Sequence, residues 1–82
     1  MRIIYTQHAR QRMKQRKVLE AEVVETLETP DDILAGYQQE DVAVKRFGTR
    51  EIRVVYEETS RETVVIYTVM QRKSQAKVGN EN

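Results

Sequence analysis

Thr29-Pro30-Asp31-Asp32 divides the chain into two parts with different hydrophobic periods. Upstream, Glu20–Glu28 reads as a helix with Val23, Val24 and Leu27 as its inner stripe and Val18 or Leu19 adding to it. Glu20 and Glu22 fall in its first turn, where acids suit the helix dipole. Pro30 stops it, because the residue before a proline avoids the helical region. Downstream the period becomes two. Ile33–Gln38 reads as a strand with Gly36 as a weak point or bulge, and Gln39-Glu40-Asp41 as a turn. Val42–Phe47 and Glu51–Glu57 form a hairpin around Gly48-Thr49. Glu58-Thr59-Ser60-Arg61 reads as the next turn. Glu62–Gln71, with Thr63-Val64-Val65-Ile66-Tyr67-Thr68-Val69 inside it, is the most β-prone segment.

Before the second helix, Arg2-Ile3-Ile4-Tyr5 reads as a short strand or extended lead-in. Thr6 is a good N-cap for a helix running to about Lys17, a stretch free of Gly, Pro and β-branched residues. Lys14, Arg16 and Lys17 complement its C-terminal dipole. Short connections force the later strands to pair antiparallel. The expected fold is α+β, with two N-terminal helices packed on one face of a four-stranded antiparallel β-meander. The other sheet face is left for solvent or a ligand. Residues 1–72 read as one domain and 73–82 as a polar, disordered tail.

A chain of 82 residues buries too little surface to enclose a large cofactor, so none is expected. The absence of cysteine excludes disulfides and thiolate metal sites, and one histidine excludes a multi-His zinc site within the chain. Asp31 and Asp32 read as turn residues, so no metal ligands are assigned. No apolar run reaches a membrane span and no signal-peptide core is visible, so a soluble, cytoplasmic protein is expected. The net charge is only +1, yet it is segregated. Residues 1–17 hold six Lys/Arg and no acid, whereas residues 18–32 hold six acids and no base. That makes a local basic field, or simply two helices that attract each other.

His8, Arg12 and Arg16 recur every four residues and stack along one helix face, while Ala9 and Met13 face inward. An imidazole beside two guanidiniums suits a phosphodiester, although a solvated helix face would look the same. Lys45 and Arg46 point to opposite sheet faces, so one of them shares a face with Arg53. Salt bridges to Glu51 or Glu40 are the competing use of these cations. Of four tyrosines, Tyr67 is the best placed to stack on a base or assist proton transfer.

The run Thr6-Gln7-His8-Ala9-Arg10-Gln11-Arg12-Met13-Lys14-Gln15-Arg16 resembles the T-x-H-A-x-x-R-M-x-x-R opening of the DUF4258 family. Thr29-Pro30-Asp31, Arg53-Val54-Val55-Tyr56 and the strand Val64–Val69 continue the likeness over about residues 5–70. Where that family often has Gly and a Ser/Thr cap before its second helix, this chain has Lys17-Val18-Leu19. The order of elements is similar to that of RelE/ParE toxins, small metal-independent ribonucleases. The resemblance implies RNA cleavage by internal transesterification, with His8, Arg53 and Tyr67 as catalytic residues and Arg12, Arg16 and Arg46 as RNA-binding residues. It also implies RNA as partner, including ribosome-associated RNA, an antitoxin protein, and a monomer or homodimer. A non-catalytic RNA-binding or protein-interaction domain is the alternative.

Overall fold

The computed structural model describes residues 1–73. Its elements in chain order are β1 (Arg2–Tyr5), α1 (Gln7–Arg16), α2 (Glu20–Glu28), β2 (Asp32–Ala35), β3 (Asp41–Phe47), β4 (Arg50–Ser60) and β5 (Thr63–Lys73). The meander is present as β2 to β5. The N-terminal lead-in adds a fifth strand, giving the spatial order β1-β5-β4-β3-β2. β1 pairs parallel with β5, Ile3 opposite Val64 and Tyr5 opposite Ile66, so the sheet is mixed rather than purely antiparallel. Both helices lie on one face and carry the chain from the β1 edge to the β2 edge. No helix among the described residues is long and apolar enough to cross a membrane. The expected tail falls, beyond Lys73, outside the described residues.

Strand alternation sorts the sheet into two faces. Ile52, Val54, Val64, Ile66 and Val69 meet Ala9, Met13, Val18 and Val23 from the helices. Glu51, Arg53, Val55 and Glu57 alternate with them and so occupy the opposite face, which no helix covers. Thr26 joins Val23 as a fully buried residue of α2, its hydroxyl donating to Glu22 O at 2.7 Å. That backbone bond is what allows a polar residue on the inner stripe.

Several boundaries differ from the expected ones. β4 continues to Ser60, and Arg61-Glu62 makes the turn. Val55 pairs with Thr68 while Tyr56 pairs with Ile66, so Tyr67 is the extra residue of a bulge. β2 stops at Ala35, one residue before Gly36. There the Gly36 N–H donates to Glu40 O at 2.9 Å, and a Cβ on residue 36 would lie 2.6 Å from that same oxygen. Only glycine allows this approach, and Tyr37 is thereby released to solvent instead of extending the strand.

Thr6 caps α1 as its sequence suggests, accepting from Ala9 N at 3.0 Å. The same hydroxyl donates to Tyr67 O at 3.2 Å, so one side chain starts the helix and ties down the bulge. Thr6→Ala should lower stability by about 1–2 kcal/mol, whereas Thr6→Ser should retain most of it, read as urea midpoints.

The α1–α2 joint is less favourably built. Val18 N donates to Met13 O and Lys17 N to Lys14 O, a Schellman turn that puts Lys17 at φ 56°. Glycine suits that left-handed position better than lysine does. Leu19 follows as the N-cap of α2 with no side-chain acceptor. Half of a capping box survives, since Leu19 N donates to Glu22 Oε1 at 3.0 Å. Leu19 is 64% exposed, so its replacement forfeits little burial. Leu19→Ser should therefore stabilise the fold by about 1 kcal/mol, measured by the same denaturation.

Candidate functional site

The uncovered sheet face is built by four strands. β4 contributes Glu51, Arg53, Val55 and Glu57. Cross-strand pairing brings Arg46 of β3 and Arg72 of β5 to either side of Glu51. Register thus decides between the two adjacent basic residues of β3. Arg46 shares the face of Arg53, while Lys45 turns to the helix side and donates to Thr29 O at 2.8 Å, closing the end of α2.

Glu51 is the hub of this end of the face. It is 4% exposed, and its Oε2 accepts from Arg53 Nε at 2.7 Å and from Arg72 Nε at 3.2 Å. The Arg53 hydrogen bond is the main reason its carboxyl is held below the usual glutamate range, against the upward pull of burial. Arg46 donates its backbone N–H to Asp31 Oδ2 at 2.8 Å, and its guanidinium stands 3.9 Å from that oxygen. Arg16 arrives from α1. β1 pairs with β5 only as far as Ile66, and beyond it the Arg16 guanidinium donates to Val69 O at 3.3 Å while its own carbonyl accepts from Gln71.

A hollow of about 300 Å³ opens between Arg16, Glu51, Arg53, Met70, Gln71 and Arg72. Arg53 and Met70 also line a larger one of about 540 Å³, floored by Val42 and Val55 and walled by Leu34 and Tyr37. Val55 continues into a third, of about 370 Å³, between Gln38, Gln39, Glu40, Glu57 and Tyr67. The shared residues make these one groove along the open face. It is basic at one end, apolar in the middle and acidic at the other. Tyr67 lies at the acidic end, its hydroxyl donating to Glu57 Oε1 at 2.8 Å. That bond is the main reason its phenol is pushed above the ordinary tyrosine value. At neutral pH Tyr67 is therefore a donor and a flat apolar surface, and unsuited to be a base.

His8 and Arg12 stand apart from this groove. Arg12 Nε donates to His8 Nε2 at 3.3 Å and its Nη1 to Gln15 at 3.1 Å, so both contacts stay within α1. Arg10, on the other flank, covers the Tyr5 ring at 4.5 Å and pairs with Glu20 at 2.8 Å. Being more than half exposed, that pair is a weak link between the two oppositely charged helices. Of the row His8, Arg12 and Arg16, it is Arg16 that reaches the β5 edge. Of the six sequence-derived residues, Arg16, Arg46, Arg53 and Tyr67 reach the open face. His8 and Arg12 keep their side-chain bonds within α1 and contact neither Arg53 nor Tyr67.

Sequence reasoning gave Glu51 a competing part and passed over Arg72, Met70 and Glu57. Their signal is strand parity, which is usable only once the β3-β4-β5 register is fixed.

Glu51 also links the site to stability. Its folded pKa lies below the ordinary value of 4.5, so its ionised form stabilises the fold above that value. The contribution disappears as pH falls through the folded value. Glu22 has the same sign. Burial opposes ionisation there, but bonds from Arg50 and Leu19 outweigh it. Urea midpoints should fall as pH drops from 5 toward 3, and Glu51→Gln should show a shallower fall.

A family model for a domain of unknown function, DUF4258, matches residues 5–71. Neither a curated protein nor a solved structure gives a significant match.

Proposed function

We propose, from the premise that this chain belongs to the DUF4258 family, that it is a RelE-like, metal-independent RNA endonuclease. The observation that supports this most is the gathering of Arg16, Arg46, Arg53 and Arg72 about Glu51 on an open, strand-built face. Guanidinium forks suit phosphate oxygens, and rigid strands hold them where charge develops. Arg53 has its Nε fixed by Glu51, which leaves its two terminal nitrogens to a phosphate.

The reaction is a transesterification within RNA. The 2′-oxygen bonds to the adjacent phosphorus and the P–O5′ bond breaks, giving a 2′,3′-cyclic phosphate and a 5′-hydroxyl. The 2′-OH proton passes to a base, and a proton is delivered to the leaving oxygen. His8 is the proton-transfer residue that the resemblance points to; it lies on α1 outside the groove, so it serves as acid or base for an RNA that spans from the open face to α1. In the free protein His8 Nε2 is within 3.3 Å of Arg12 Nε. Arg53 and Arg16 stabilise the phosphorane oxygens, Arg12 and Arg46 hold neighbouring phosphates, and Tyr67 stacks on a base. A cytoplasmic location, ribosome-associated RNA as target and an antitoxin covering the basic end belong to the same reading.

A non-catalytic RNA-binding domain is the second reading. It is favoured by the way Arg53 and Arg72 are already bonded to Glu51, and His8 to Arg12, in the free protein.

The test is incubation of the protein with single-stranded RNA in EDTA, with and without ribosomes, and identification of the product ends. Cyclic phosphate and 5′-hydroxyl termini are expected. No cleavage under either condition would overturn the endonuclease, and salt-sensitive RNA binding without cleavage would establish the second reading.

A further inference from the structure

The groove's acidic end has no part in gripping a phosphate backbone. Glu57 and Glu40 repel phosphates, so a strand anchored at the arginines does not lay its backbone there. What fits is a base. Val55 supplies an apolar floor, Tyr67 an aromatic wall, and Gln38, Gln39, Glu40 and Glu57 a polar rim, around a volume of about 370 Å³ that exceeds a purine.

The wall and the rim are built as one unit. Tyr67 is the extra residue of the β5 bulge, a device that re-aims a side chain. Its backbone is held by Thr6, and its hydroxyl by Glu57 Oε1. The Glu57 carboxylate is thereby oriented, with its second oxygen not engaged by that bond. Glu40 is fixed too. Its carboxylate accepts from Tyr37 N at 3.1 Å, and bonds from the loop's backbone N–H groups keep it ionised.

We infer that this end of the groove is a guanine-reading subsite, in which the base stacks on Tyr67 and the Glu57 carboxylate accepts from its N1–H and N2–H. The inference rests on the RNA-binding reading of the groove. Guanine is the RNA base that presents two adjacent donors on its Watson–Crick edge. Adenine and cytosine each set a donor beside an acceptor, which an ionised carboxylate repels, and uracil offers a donor between two acceptors. Single-stranded RNA exposes that edge for reading. Along β4, Arg53 and Glu57 lie four residues apart, about 13 Å of strand. Arg53 is bonded to Glu51 and Glu57 to Tyr67, so an RNA strand whose phosphate meets Arg53 sets a base from one or two nucleotides along it at Glu57.

Fluorescence anisotropy with uridine heptamers bearing one central guanosine, inosine, adenosine, cytidine or uridine tests this. A 2′-fluoro backbone prevents transesterification. Guanosine should bind roughly tenfold more tightly than the other natural bases, with inosine, which lacks the N2 amine, in between. Glu57→Gln should bring the guanosine-to-uridine ratio close to one. Because the ratio compares two ligands on one protein, partial unfolding cancels from it. Equal affinities for all five, lost together in Arg53→Ala, would overturn the guanine subsite and leave the RNA reading standing. A ratio unchanged in Glu57→Gln would overturn it too. No binding of any heptamer would bring down both.

Discussion

Arg53→Ala should lower EDTA-resistant RNA cleavage by about 100- to 1,000-fold, the loss expected when one fixed donor to a developing oxyanion is removed. Arg53 sits in β4, the central strand of the sheet, with its side chain 30% exposed. Its guanidinium is held by the shorter of the two arginine bonds to Glu51, 2.7 Å, so its orientation is set before any substrate arrives. Arg53 lines a hollow that Arg16 and Arg72 also line. A flexible surface arginine would lose more entropy in reaching the same geometry. Arg53→Lys keeps the charge but offers one compact ammonium, which cannot serve Glu51 and a phosphate fork together. It should recover only a small part of the rate. Arg72 still partners Glu51 in both variants, so they should remain folded, though less stable, and rates should be compared below their unfolding midpoints. An Arg53→Ala protein cleaving at more than half the native rate would remove Arg53 from the catalytic set, whatever its effect on RNA affinity.

The parts of this fold legible from sequence are those set by local chemistry. Thr6 announces a helix start because its hydroxyl satisfies a nearby N–H, and it does so here. Pro30 and Gly48 mark a helix stop and a tight hairpin for equally local reasons. What could not be read depends on contacts between distant segments. Arg2–Tyr5 looks like a lead-in until Thr63–Ile66 lies beside it, 61 residues later, and no short-connection argument supplies a parallel partner. The same limit applies to the site. Lys45 and Arg46 are equivalent in sequence, and only pairing with β4 assigns one to the helix side and the other to Glu51. Tyr67 owes its position to a bulge, an extra residue that strict alternation does not foresee. The basic row of α1 was legible, but only Arg16 of that row extends to the β5 edge. His8 and Arg12 are held to each other instead.

Ile66→Ala should destabilise the protein by about 2–5 kcal/mol, enough to leave much of it unfolded at 37 °C, because a domain this small holds only a few kcal/mol in reserve. Ile66 is fully buried at the point where three elements meet. It stands opposite Tyr5 of β1 and Tyr56 of β4, and its carbonyl accepts from Thr6 N at the entry to α1. Truncating it opens a cavity beneath the helices that rigid strand neighbours cannot close. The adjacent Val65 supplies the control. It is half-buried on the open face, opposite Glu57, and Val65→Ala should cost about 1 kcal/mol. Urea denaturation of both variants at neutral pH decides the matter. Equal losses would mean that the helices do not rest on Ile66 as its burial indicates. A large loss confined to Ile66→Ala would fix the parity of β5 experimentally. Past the Tyr67 bulge that parity reverses, so Met70 and Arg72 belong to the face opposite the helices, where the proposed chemistry requires them.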